Sequence, residues 1–195
     1  MYWYKPRLKI VIALIGGIML TICGSACKSD VKERGALKYF DLKGYFKNDS
    51  IRLTKENRMV FKTVTHNGVS QSKTVHIPDW GLELDLFKEA DINKPAWKDS
   101  YTVIDEDSVL IYQAKYPKQM KVNEIIIKKD KGKVKWILIY SKTPENRWIG
   151  LKIPPLYITT EKLSYFPDSL YLIVKSQWVR FIGANVYRIE GVIKK

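Results

Sequence analysis

RMVFKTVTH (58–66), NG (67–68) and VSQSKTVHI (69–77) form the stretch that decides the fold. Two β-branched runs flank an Asn-Gly pair, and a type I′ turn needs positive φ at both central positions, which those residues tolerate best. The stretch is therefore an antiparallel hairpin with 66 opposite 69. Working outward, Tyr101 to the C-terminus repeats the same grammar. Expected strands run over Tyr101–Ile104, Val109–Lys115, Val122–Lys129, Val134–Ser141, Arg147–Ile153, Tyr157–Phe166, Leu170–Ile182 and Val186–Ile193. Turn signals separate them at 105–108, 130–133, 143–146, 167–169 and 183–185, with Pro154-Pro155 after the short strand. Regular strand-turn-strand spacing without intervening helices predicts an antiparallel sheet. Ile125-Ile126-Ile127 and Trp136 to Tyr140 are apolar on both faces, which points to a curved sheet with helices inside it.

Two segments read as helix. Tyr39, Leu42, Phe46 and Leu53 recur at spacings of three, four and seven, one stripe of a helix from Ala36 to about Glu56. Gly44 and Asn48-Asp49-Ser50 predict a break in its middle. After the hairpin, Pro78 ends the strand and Asp79 can cap a helix from Trp80 to about Asp91, with Leu82, Leu86 and Ala90 as its buried stripe beside Phe87. Asn93-Lys94-Pro95 breaks it. The expected class is α+β: a single domain with a curved, mainly antiparallel, half-barrel-like sheet, an N-terminal helix and a second helix after the first hairpin.

The N-terminus reads differently. Lys5, Arg7 and Lys9 precede Ile10–Ile22, an uncharged apolar run of 13 residues that ends in Cys23-Gly24-Ser25-Ala26-Cys27. A basic start, a short apolar run and a small-residue cleavage site make a secretory signal peptide. The run is shorter than the roughly 20 residues of a spanning helix. Gly24-Ser25-Ala26-Cys27 resembles the lipobox of bacterial lipoproteins, although the usual Leu is missing. Leu20-Thr21-Ile22 before Cys23 is the alternative, with bulky Ile22 at the position that must be small. The resemblance implies acyl chains on Cys27 (alternative Cys23), a signal peptide over 1–26, a tether over 27–35 and one domain over 36–195. Lys28 follows the cysteine where an Asp would retain the protein at the inner membrane, so the implied location is the outer membrane of the cell envelope.

Charge bounds the partners. The chain carries a net +14, and removing Lys5, Arg7 and Lys9 leaves +11 on the mature part. Such an excess favours anionic lipid or an anionic envelope polymer, and export takes nucleic acid off that list. Lys128, Lys129, Lys131, Lys133 and Lys135 crowd one hairpin. They read either as a basic finger for an anionic surface or as a solvated turn that blocks sheet-edge pairing.

Catalytic and metal motifs do not surface. His66 and His76 fall at opposite ends of one hairpin, so they do not share a metal site. Asp105-Glu106-Asp107 lacks the glycine-centred loop of a calcium site. No nucleophile elbow or phosphate loop occurs. No cofactor or metal is expected. The order of elements is similar to the half-barrel of lipoprotein carriers and receptors. Tyr165-Phe166-Pro167-Asp168-Ser169-Leu170-Tyr171 resembles a stretch of small outer-membrane lipoproteins. These readings converge on a non-enzymatic envelope lipoprotein that binds a lipid-like or anionic component. A structural or assembly partner without a ligand cavity is the alternative, and an envelope hydrolase the third. The tryptophans Trp80, Trp97, Trp136, Trp148 and Trp178 suit either a packed core or an aromatic-lined cavity.

Overall fold

The first hairpin forms as its sequence dictates. Strands β1 (Met59–His66) and β2 (Val69–His76) pair from His66↔Val69 to Met59↔His76, and Asn67 and Gly68 take φ of 47° and 88°. The computed structural model describes residues 37–143 and 156–194. The lipobox, Cys23, Cys27, the tether, the 147–153 strand and Trp148 lie outside the described residues.

Seven further strands follow: β3 (Tyr101–Glu106), β4 (Val109–Ala114), β5 (Val122–Asp130), β6 (Lys133–Lys142), β7 (Tyr157–Phe166), β8 (Leu170–Val179) and β9 (Gly183–Ile193). Among the described residues these nine strands form one antiparallel sheet, ordered β2-β1-β9-β8-β7-β6-β5-β4-β3, which does not close on itself. The chain-terminal strand β9 pairs with β1, Val60 opposite Ile193, so the first hairpin extends the meander at its far end. The protein is mostly β, and the expected α+β balance is only roughly met.

Helix α1 (Leu42–Glu56) begins six residues later than the expected Ala36, because Asp41 caps it there, and it is continuous, against the expected break. Its N-terminus is capped by Asp41, which accepts from the Gly44 amide at 2.8 Å, and Asn57 ends it in the left-handed region. Of the polar residues in its middle, Asn48 is exposed and Asp49 and Ser50 face inward with partners: Ser50 donates to the Phe46 carbonyl at 2.7 Å and reaches the Trp80 carbonyl at 3.2 Å. Satisfied in this way, they do not interrupt the helix. The second helix is two short pieces, α2 (Trp80–Glu83) and α3 (Asp85–Glu89). Its buried stripe is Trp80, Leu84, Phe87 and Ala90, whereas Leu82 is exposed. Trp80, Leu84 and Phe87 also have helical spacing, and the face bearing the two large aromatics wins burial.

The core lies between these helices and one face of the sheet. Alternate strand positions bury Ile125 and Ile127, Ile137 and Ile139, Leu163 and Tyr165, Tyr171 and Ile173, as a half-buried sheet requires. Phe46 sits edge-on to Tyr165 at 5.1 Å, and Trp80 edge-on to Tyr171 at 6.0 Å. Gly191 is required there, because a Cβ would run into the Tyr171 ring. The unit Leu37–Lys195 contains all of this core.

One turn differs from expectation in a way that matters. Leu170–Ile182 was expected as strand and Gly183–Asn185 as turn. Instead β8 stops at Val179, which pairs with Gly183, and Arg180-Phe181-Ile182 make the turn. Phe181 adopts φ 75° and Gly183 φ 101°. An apolar pair that reads as strand interior therefore sits at a tip.

Candidate functional site

The sheet has two ends, and the antiparallel register assigns residues to each. The Asp168 end carries the turns after β3, β5 and β7 and the C-terminus of α1. Around the end of α1 its charges are absorbed internally. Arg52 donates to Asp49 and Glu56 at 2.8 Å and to Asp168 at 2.5 Å, and Arg58 pairs with Glu56 at 2.8 Å. Tyr165 donates to the buried Asp49 carboxylate. Burial, then the Asp49 charge, pushes the Tyr165 hydroxyl above the ordinary tyrosine range. Desolvation works against the Arg52 charge, but its three carboxylate partners outweigh that and hold it above its usual value.

The lysine hairpin stands at this same end, and the structure separates its members. Lys128 donates to Ser108 Oγ at 2.5 Å, Lys129 lies over the Phe40 ring at 5.3 Å, and Lys135 pairs with Asp130 at 3.2 Å. Lys131 and Lys133 remain exposed, Lys131 beside Gly132 in the turn itself. Two of the five lysines are thus available to a surface without giving up a contact.

The Phe181 end is organised otherwise. On the helix-covered face the apolar rows give way to a row that runs from buried Val122 into polar Ser141–Glu161–Lys175–Tyr187–His66, each residue paired across to the next. Ser141 and Glu161 are buried, and Lys175 meets Glu161 at 3.1 Å. At this row opens a cleft of about 250 Å³ lined by Lys121, Lys142, Lys175, Glu161, Tyr157, Ser141, Thr143 and Thr159. Lys175 is matched by Glu161 and Lys121 lies 3.6 Å from Glu89, so one lysine of the lining, Lys142, is left over; it stands at the rim, on the side of β6 alternate to Ser141. Lys142 has no carboxylate within pairing distance among the described residues. Thr143 locks the wall: its amide donates to the Thr159 carbonyl at 2.8 Å, and its hydroxyl accepts from the Thr159 amide at 3.0 Å.

This arrangement suits binding of an anion. Flexible ammonium groups and fixed hydroxyls can share the oxygens of a phosphate or carboxylate. For acyl transfer it is poorly arranged. Ser141 and His66 share a row but stand four strands apart, roughly 19 Å at ~4.8 Å per strand, and His66 stacks on Tyr187 at 4.4 Å. His66 and His76 lie at opposite ends of β1 and β2, as their register requires. Trp80 is buried, Trp97 carries Lys94 over its ring at 4.2 Å, and Trp178 is largely open to solvent.

None of the cleft residues stood out in the sequence. They come from β6, β7, β8 and the segment before β5, and only cross-strand register brings them together. Fold and cleft define a class: an open antiparallel sheet packed on helices, with a basic cleft at one end. No family model, curated protein or solved structure matches the chain.

Proposed function

We propose that this protein is a non-enzymatic envelope lipoprotein, acyl-anchored through Cys27 or Cys23 at the outer membrane, that binds an anionic, phosphate-bearing envelope component in the Lys142 cleft. The observation that carries the reading is the lining of that cleft, where Lys121, Lys142 and Lys175 gather around a single glutamate, Glu161. The finer shape we assign is a sheet curved around its helices like a half-barrel. Its interior, where a carrier would hold an acyl chain, is occupied by Trp80, Phe46 and Phe87, all buried. Binding is therefore assigned to the end of the sheet, not to its interior.

Calorimetric titration of residues 37–195 tests this, with inorganic pyrophosphate as the free phosphate source. Dihexanoyl-phosphatidylglycerol below its micellar concentration supplies the headgroup source. Saturable binding is expected. The pair K142E/K175E should weaken it about tenfold or more, the scale of one lost charge-assisted hydrogen bond, and K131E/K133E should leave it unchanged. Preference for one titrant identifies the source. No saturable heat with either would overturn the reading and turn attention to a protein partner.

A further inference from the structure

We infer that the β8–β9 turn is a membrane-contact tip, with Phe181 and Ile182 as the side chains that enter the interface of an anionic bilayer. The inference rests on the turn and stands apart from the cleft proposal. Phe181 is 93% exposed and Ile182 77%, at the end of two paired strands. A bulky residue at positive φ is uncommon and is retained where surroundings or function demand it; here that backbone holds the Phe181 ring out in solvent. The Arg180 amide donates to the Leu156 carbonyl at 2.9 Å, which ties the turn to the start of β7 and places exposed Leu156 beside it.

Behind the tip comes an amphipathic pair. Tyr157 pairs with Val179, and Trp178 with Ile158 and Ala184. By strand alternation they flank opposite faces of the sheet, and both are exposed. Tyr and Trp at this depth match the apolar-to-wet gradient of a membrane interface. The collar is cationic: Arg180 lies over the Phe181 ring at 5.4 Å. No acidic residue occurs in 156–160 or 176–189, so these stretches do not themselves repel anionic headgroups. The shape also chooses the occupant. A stable protein interface takes about 800 Å² on each side, whereas a narrow protruding apolar point with a charged collar is complementary to a soft anionic surface.

The test is sedimentation of residues 37–195 with sucrose-loaded vesicles, either phosphatidylcholine alone or phosphatidylcholine with phosphatidylglycerol. The wild type should partition onto the anionic vesicles. F181S/I182S should lower the partition coefficient about tenfold or more, from apolar burial lost at two side chains. Both residues lie outside the core, so circular dichroism of that variant should match wild type. Trp178 emission should move to shorter wavelength on binding, by difference from W178F. Equal partitioning of F181S/I182S and wild type would overturn the inference, because general charge would then suffice. Wild type that ignores anionic vesicles would overturn it too, and would leave the tip to a protein. Pyrophosphate binding stays intact in F181S/I182S if the cleft reading holds, so the two proposals fail separately.

Discussion

The two ends of the sheet hold similar residue types and use them in opposite ways. At the Asp168 end, arginines, carboxylates and tyrosine hydroxyls satisfy one another, and three of five clustered lysines already have partners. At the Phe181 end, lysines line an open cleft, and an apolar pair projects into solvent from a turn. A charge or an apolar side chain acquires a role from what surrounds it. The first end fixes helix to sheet, and the second presents groups to something outside the chain.

The strongest way to break this contrast is to cut an aromatic from each region. Phe46→Ala should cost about 3–5 kcal/mol, because a fully buried ring leaves a cavity between α1, α3 and β7. Phe181→Ser should stay within about 0.5 kcal/mol, as exposed sites away from packing do. Urea denaturation reads both, and comparable losses would remove the contrast. Asp49→Ala comes next, at about 1–3 kcal/mol, since it leaves the Tyr165 hydroxyl buried without an acceptor.

pH sharpens the same comparison. Tyr45, Tyr101, Tyr112, Tyr165 and Tyr171 all have hydroxyls raised above the usual value, in each case chiefly by burial. The unfolded chain ionises its tyrosines near about pH 10. A folded value above that means the stabilisation is full below pH 10 and is lost as the pH rises toward the folded values. Denaturant midpoints should therefore hold steady to about pH 9 and then fall. The phenolate absorbance of these five should rise together with loss of circular dichroism. Their ionisation in a chain still folded would contradict the packing described.

Much of the fold was legible because it depends on local chemistry. Asn67-Gly68 fixed a turn and a register, and Tyr157–Phe166 matched strand β7 at both bounds. Leu42, Phe46 and Leu53 named the buried face of the first helix, whereas Tyr39, expected on the same stripe, is buried ahead of its N-cap. What failed required tertiary information. Asp49 and Ser50 looked like helix breakers because their partners, Tyr165 and Trp80, are distant in sequence. Phe181-Ile182 looked like strand because apolar residues are expected inside, and a turn that exposes them has no local signature. The lysine hairpin was visible as composition, but Ser108, Phe40 and Asp130 had to be placed before its members could be told apart. The cleft was invisible for the same reason, since the meander register alone aligns Ser141, Glu161 and Lys175.

Backbone amide chemical-shift mapping of residues 37–195, titrated with bicelles containing phosphatidylglycerol, is the most direct test of the two-ended account. Shifts are expected to concentrate at 141–143, 156–161 and 175–183, with 128–135 little changed. Shifts centred on the Lys131–Lys133 turn, or spread evenly over every exposed lysine, would contradict it.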